Sequence, residues 1–106
     1  MRPINQKIKD KMSNDPFYKE CLIINDGCCE GRIEWHHNLI FAGQQLDEKW
    51  AILPLCEFHH RNINTKMIKE QCDHVMLNRA TDQELEAVSK AVDYKRERDR
   101  LNKIYD

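Results

Sequence analysis

The sequence predicts a small α+β fold, and three features of its pattern support this class. The chain has 106 residues, of which 41% are hydrophobic, which is enough for one modest core and indicates one domain over residues 1–106. A segment near the middle alternates apolar and polar side chains and is followed by a short apolar run, the pattern of a two-stranded hairpin. From Glu57 onward, apolar residues recur at helical spacing. We therefore expect a hairpin followed by helices.

The first half of the chain predicts a helix, a cysteine-bearing loop and the hairpin. A short helix is expected up to about Met12, with Pro3 suited to its first turn, and the sequence SNDP ends it. The alternation in GRIEWHHNLIF predicts the first strand of the hairpin. AGQQLDEK is the polar connection, and WAILPLC is the return strand, with Pro54 near its end. The core of the domain is therefore expected over about residues 21–64.

The second half predicts C-terminal helices over about residues 65–106. The helical pattern that begins at Glu57 has an apolar face formed by Ile63, Met67, Ile68, Cys72 and Met76. Thr81 and Glu84 have the spacing of a capping box, which predicts the start of a second helix. The apolar stripe of that helix comprises Leu85, Val88, Val92, Leu101 and Tyr105.

The composition argues against a membrane or secreted protein. The longest apolar runs are only a few residues, too short to span a bilayer, and the segment MRPINQKIKDKM lacks the apolar stretch of a secretory signal. We therefore expect a cytoplasmic protein. In that compartment the five cysteines are more readily metal ligands than disulfide partners.

The charge distribution suggests a candidate DNA-binding surface. The net charge is −1, yet residues 1–12 and 90–103 each carry about three excess positive charges. One interpretation is two solvated helix faces with internal salt bridges. The other is two basic edges that bind a phosphate backbone. On the second interpretation, the C-terminal contacts to DNA are Arg96, Arg98, Arg100 and Lys103.

The cysteines predict a structural zinc site. Cys56 and His59 are separated by two residues at a strand-to-helix turn, so both can point at one tetrahedral ion. Upstream lie Cys21 and the neighbours Cys28 and Cys29, and two of these thiolates would complete a Cys3His site. The alternative, that the cysteines are small buried hydrophobes, fits Cys72 better, because it lies alone on the apolar face of a helix.

The remaining histidines predict a second, open metal site. His60 and Asn64 are four residues apart and share a face of the predicted helix. His36 and His37 are neighbours in an extended segment, so only one can coordinate the same ion and the other is left as a free imidazole. Such a set suits metal-assisted phosphodiester hydrolysis, in which the ion stabilises the departing oxygen and the free histidine deprotonates water.

These motifs resemble those of a known family. The pattern C…CCEGRIEWHH…EKWAILPLCEFHHRNIN is similar to the HNH endonucleases, and more narrowly to small phage and prophage proteins with the pattern GRITWEH…AGRQ…EKWAIIPLC…HH. The resemblance is specific over about Cys21 to Asn64 and weaker outside it. It implies a small ββα-metal core with a structural zinc site, flanked by an N-terminal helix and C-terminal helices.

The resemblance also implies roles for individual residues. His37 corresponds to the general base, and His36 falls where relatives have an acidic ligand. His60 corresponds to the helix histidine that binds the catalytic ion, and Asn64 to the last ligand. The structural zinc ligands correspond to Cys21, Cys29, Cys56 and His59, with Cys28 as the alternative to Cys29.

The chain departs from the family pattern at two places. The middle asparagine that braces the hairpin loop would fall near Trp50 or Ala51, so Gln44, Gln45 or Asp47 would have to hold the loop instead. The imidazole of His36 in place of a carboxylate favours Zn²⁺, Ni²⁺ or Mn²⁺ over Mg²⁺ at the active site.

The function predicted from these features is a metal-dependent HNH-type DNA endonuclease of phage or prophage origin, acting in DNA recombination, processing or packaging in the bacterial host cytoplasm. The expected cofactors are a structural Zn²⁺ and a divalent ion at the active site, and the expected partner is DNA. One alternative is a catalytically inactive zinc module that binds DNA or protein. A second is an interaction protein whose C-terminal helix pairs with a second copy of the chain or with a phage protein.

Overall fold

The fold consists of a long-range hairpin with a short helix before it and four helices after it. The computed structural model describes residues 4–23, 27–41, 44–90 and 92–105. Within these ranges the elements are α1 (Gln6–Ser13), β1 (Ile33–His37), β2 (Ile40–Phe41), β3 (Gln44–Gln45), β4 (Ile52–Cys56), α2 (Glu57–Arg61), α3 (Lys66–Arg79), α4 (Asp82–Val88) and α5 (Tyr94–Tyr105). The predicted small α+β fold, with an antiparallel hairpin followed by helices, is confirmed.

The hairpin pairs β1 with β4 in antiparallel register, from Ile33 opposite Cys56 to His37 opposite Ile52. The predicted return strand is confirmed, but Pro54 lies in its middle rather than near its end. Proline is tolerated there because its carbonyl accepts the N–H of Leu22 at 3.0 Å, so the backbone groups of Pro54 point away from β1. Its missing N–H therefore costs no hydrogen bond of the ladder.

The connection between the two strands is more ordered than a polar loop. Ile40 and Phe41 pair with Gln45 and Gln44 in a second, two-residue antiparallel ladder. Ala42 and Gly43 lie outside the described residues.

The helix predicted from Glu57 is in fact two helices. α2 ends at Arg61, and a turn over residues 62–64 separates it from α3. Asn62 is the C-cap of α2, and its backbone N–H and side-chain amide both donate to the carbonyl of Phe58. Met67, predicted on the apolar face, is 55% exposed, whereas Ile68 is buried.

The last predicted helix is also divided. The capping box at Thr81 and Glu84 is confirmed, with both of its hydrogen bonds formed. The hydroxyl of Ser89 then donates to the carbonyl of Leu85 and accepts the N–H of Tyr94. One side chain therefore provides a hydrogen bond to a backbone group at the end of α4 and to another at the start of α5. Val92, predicted in the apolar stripe, lies in this break and is 47% exposed.

The core lies between the hairpin and the C-terminal helices. Every residue of β4 is buried, and the cluster around it includes Trp50, Leu53, Leu55, Ile68, Cys72, Met76, Leu77, Leu85 and Leu101. Cys72, predicted as a core residue, is fully buried. A second, smaller cluster contains Met12 of α1, which packs with Tyr18 and Ile52; Pro3, expected in the first turn of this helix, lies outside the described residues. In the part of the chain that the structure describes, no helix is long and apolar enough to cross a bilayer.

Candidate metal centre

Four predicted ligands converge where β4 meets α2. The Nδ1 atom of His59 lies 3.1 Å from the sulfur of Cys56, 3.4 Å from that of Cys21 and 3.7 Å from that of Cys29. All four ligand atoms lie within 4.8 Å of one another. A tetrahedral zinc ion, with bonds of about 2.3 Å to sulfur and about 2.0–2.1 Å to nitrogen, holds such atoms about 3.6 Å apart. The Cys3His group is therefore consistent with a structural zinc site.

The strand-to-helix junction explains how Cys56 and His59 meet. Cys56 is the last residue of β4 and the N-cap of α2, where its backbone is extended. Its sulfur accepts the backbone N–H of His59 at 3.5 Å. The first turn of α2 then brings His59 close to Cys56, so these two residues, separated by two positions in the sequence, can bind the same ion.

The loop that carries Cys29 is tied to the same junction. Gly31 has φ +84°, and a Cβ atom there would lie 2.7 Å from Cδ of Glu57, so glycine is needed on both steric counts. The carbonyl of Glu30 accepts the N–H of Phe58 at 3.2 Å. These contacts place Cys29 in the cluster, and the choice between Cys28 and Cys29 that the sequence left open falls on Cys29.

The electrostatics of the cluster favour a bound cation. Burial, together with the neighbouring thiols of Cys21 and Cys56, raises the pKa of Cys29 to about 12. Although burial opposes ionisation of Cys56 as well, backbone hydrogen bonds from His59 and Glu30 lower its pKa to about 6. Three thiolates at this distance repel one another, and a divalent ion removes that repulsion on binding.

A second cluster lies on the next face of α2. Nδ1 of His60 is 2.8 Å from Oε1 of Glu34, and the rings of His60 and His36 meet edge to face with centroids 5.0 Å apart. Glu34 and His36 are two residues apart in β1 and therefore share a face of the strand. The structure thus brings together two of the predicted active-site histidines and adds a carboxylate that the sequence analysis did not select.

His36 is held by a chain of polar contacts that leads to α3. Its Nε2 lies 3.1 Å from Oδ1 of Asn38, whose amide nitrogen donates to Asp73 at 2.8 Å. Lys69 also donates to Asp73, at 2.7 Å. Burial, together with the neighbouring His60, lowers the pKa of His36 to about 4. The ring is therefore neutral near pH 7, the state in which imidazole binds a metal ion.

His37 lies on the opposite face of β1 from His36, as expected for neighbours in an extended strand. Its Nε2 is 2.9 Å from Oδ1 of Asp47, and its side chain is only 3% exposed. Its Nδ1 is buried and has no hydrogen-bond partner among the described residues. Asp47, one of the residues considered as a brace for the loop, therefore contacts the predicted general base.

Asn64 does not share a helix with His60. Its predicted position one turn further along the same helix is wrong, because α2 ends at Arg61 and Asn64 lies exposed in the turn that follows. Its role as the last ligand of the catalytic ion stays a prediction.

The candidate DNA-binding residues of α5 fall into two groups. Arg98 pairs with Asp82 at 2.6 Å and with Asp99, and Arg100 pairs with Glu97 and Glu70. For Arg96 and Lys103, no ion pair is formed with the residues that the structure describes. These two side chains border a groove along α5 together with Arg100, so they are the basic groups there most available for a ligand.

The sequence analysis overlooked Glu34, Asn38 and Asp73. A signal for the first two was present, since Glu34, His36 and Asn38 follow one another at every second position and share one face of a strand. No comparable signal existed for Asp73, which reaches the site only through the packing of α3 on the hairpin.

Comparisons of the chain with protein-family models, with curated proteins and with solved structures found no match.

Proposed function

We propose that this protein is a metal-dependent HNH-type DNA endonuclease of phage or prophage origin, which hydrolyses phosphodiester bonds. In this proposal β1, β4 and α2 form the ββα-metal core, the Cys3His group binds a structural Zn²⁺, and a second divalent ion binds beside it. DNA recombination, processing or packaging is the proposed setting, with DNA as the partner.

One observation carries the proposal. The imidazoles of His36 and His60 meet with ring centroids 5.0 Å apart on the face next to the zinc ligands, and adjacent residues of one short helix supply a ligand to each site. A structural zinc alone gives no reason for a pair of histidines in contact on the adjoining face.

The proposed chemistry divides the work among a few groups. A divalent ion bound there would polarise the scissile phosphate and stabilise the departing oxygen. His36 and His60 hold that ion, with Asn64 as the further ligand implied by the resemblance. His37 is the general base, and Asp47 fixes its Nε2–H tautomer, so that Nδ1 is the nitrogen that accepts a proton from water. DNA binding must uncover this atom, because it is buried in the free protein.

The rival function is a catalytically inactive zinc module that binds DNA or protein. The 3% exposure of the His37 side chain favours it, since a base must reach the water that it deprotonates. A protein-binding role through α5, with a second copy of the chain or with a phage protein, belongs to the same class.

Plasmid nicking tests the proposal against this rival. The wild-type protein is assayed with a panel of divalent ions, beside His37→Ala and the control His74→Ala, which removes an imidazole that stacks on Tyr105 away from both clusters. We expect metal-stimulated nicking, unchanged in His74→Ala and lowered by about two to four orders of magnitude in His37→Ala.

Equal nicking by His37→Ala and the wild type would refute the proposed base. A wild-type protein that nicks no DNA with any ion, yet retains its zinc, would support the inactive module instead.

A further inference from the structure

The hydrogen bond between Glu34 and His60 fixes which nitrogen of His60 carries the proton. A carboxylate only accepts hydrogen bonds at neutral pH, so the 2.8 Å contact between Oε1 of Glu34 and Nδ1 of His60 requires the hydrogen on Nδ1. When the ring is neutral, as metal binding requires, Nε2 of His60 is then the nitrogen that keeps its lone pair.

A second network fixes the tautomer of His36 in the opposite sense. The carboxylate of Asp73 accepts from the side-chain nitrogen of Asn38 at 2.8 Å, which orients the amide so that its oxygen faces His36. That oxygen is 3.1 Å from Nε2 of His36 and can only accept. Nε2 of His36 therefore carries the hydrogen, and Nδ1 keeps its lone pair.

We propose that Glu34 and Asn38 are positioning residues for a metal site formed by Nε2 of His60 and Nδ1 of His36. Each residue accepts the N–H of one ring, holds that ring in one orientation and leaves its other nitrogen free to bind a divalent ion. Metal-binding histidines in proteins usually donate their second N–H to a carboxylate or carbonyl, and removal of that acceptor typically weakens metal binding about 10- to 100-fold.

The position of the charge distinguishes this arrangement from the pattern that the resemblance implies. There the acidic group lies at residue 36 and binds the ion directly. In this chain a histidine occupies that position, and the carboxylate lies two residues earlier on the same strand face, in contact with the helix histidine. The inference rests on the proposed second metal site, but not on cleavage of DNA.

The test measures tautomers and metal binding separately. Zinc-loaded protein labelled with ¹⁵N-histidine is examined by long-range ¹H–¹⁵N NMR without added metal, with His36→Gln and His60→Gln used to assign the signals. Ni²⁺ is then titrated by calorimetry, and the zinc content is measured afterwards. The variants compared are Glu34→Ala and the control Glu48→Ala, which removes an exposed carboxylate outside the cluster.

We expect the Nδ1–H tautomer for His60 and the Nε2–H tautomer for His36 in the wild type. Glu34→Ala should lose the single tautomer of His60, leave His36 unchanged, and weaken Ni²⁺ binding about 10- to 100-fold at constant zinc content. Glu48→Ala should behave as the wild type.

Three results would overturn the inference: a wild-type His60 protonated at Nε2, an unchanged Ni²⁺ affinity in Glu34→Ala, or no binding of Ni²⁺ beyond the zinc site. If Ni²⁺ binding depends on Glu34 but the protein cleaves no DNA, the proposed nuclease function would be refuted and the proposed metal site would be supported.

Discussion

Replacement of Cys56 by serine is expected to unfold the protein, because this residue joins β4 and α2 and belongs to the metal cluster. Its sulfur is 3.1 Å from Nδ1 of His59, it ends β4 and it caps α2. The side chain is almost completely buried, so a hydroxyl in its place would neither bind zinc well nor reach water.

The size of this effect follows from comparing the free energy of zinc binding with the free energy of unfolding of the whole domain. Natural domains have a free energy of unfolding of about 0.05–0.15 kcal/mol per residue, which gives about 5–16 kcal/mol for a chain of this length. A structural zinc ion in a small peptide domain contributes about 10–16 kcal/mol at neutral pH. Loss of the ion therefore removes an amount comparable to the whole stability.

The chain offers a matched control for this prediction. Cys28 is adjacent to the ligand Cys29 but is exposed and outside the cluster, so Cys28→Ser removes a thiol from the same loop. Elemental analysis should find about one zinc per chain in the wild type and in Cys28→Ser, with cooperative thermal unfolding by circular dichroism. Cys56→Ser should contain little zinc and show no cooperative transition.

Two results would contradict this reasoning. Cooperative unfolding of a zinc-free Cys56→Ser protein near the wild-type temperature would show that the fold does not need the ion. Loss of zinc in Cys28→Ser would show that Cys28, and not Cys29, is the zinc ligand.

Three further predictions concern the second cluster and the charged helix. His36→Asp should keep some nicking activity and shift the metal preference towards Mg²⁺ and Mn²⁺, as nicking with each ion would show, since a carboxylate favours harder ions; no change in preference would exclude His36 as a ligand. The pKa of His36 measured by NMR should be about 4. Because a histidine in the unfolded chain binds its proton near pH 6.5, the free energy of unfolding should fall as the pH is lowered from about 6.5 to about 4. A pKa of His36 near 6.5 would refute the burial of its ring. The double variant Arg96→Glu and Lys103→Glu should weaken DNA binding for all sequences and reduce the salt slope by about two, as measured by fluorescence anisotropy at several salt concentrations, while unchanged binding would indicate a solvated face or a protein-binding surface.

The parts of the fold that the sequence predicted are those governed by local patterns. Alternation identified β1, the two-residue gap between Cys56 and His59 identified the cluster, and the capping box at Thr81 identified the start of α4. Each of these signals depends on residues within a few positions of one another. The same is true of α1, whose last turn was placed within a residue.

The errors arose where a local polar contact overrides a continuing apolar pattern. α2 ends at its C-cap Asn62, which leaves Asn64 off the face of His60, and the hydroxyl of Ser89 takes the carbonyl of Leu85 where the last helix divides, although apolar residues recur across the break. Periodicity describes which residues could share a face, but not whether a side chain will take a backbone hydrogen bond from the helix. The contact of Asn38 with Asp73 depends on how α3 packs, which no spacing in the sequence encodes.

The shortness of α2 has a practical consequence for any experiment that uses a chelator. This helix has five residues, far fewer than the 12–15 or so that an isolated helix needs to be stable in water, so contacts at its ends must hold it. His59 and His60 are successive residues of this short helix, so removal of a zinc ion from His59 would be expected to release the orientation of His60 as well. Inhibition of the proposed DNA cleavage by a strong chelator would therefore not distinguish loss of the structural zinc from loss of the proposed second ion. Other ions titrated at a buffered free-zinc concentration, chosen to fill the Cys3His group but not the proposed second site, would report on that second site alone.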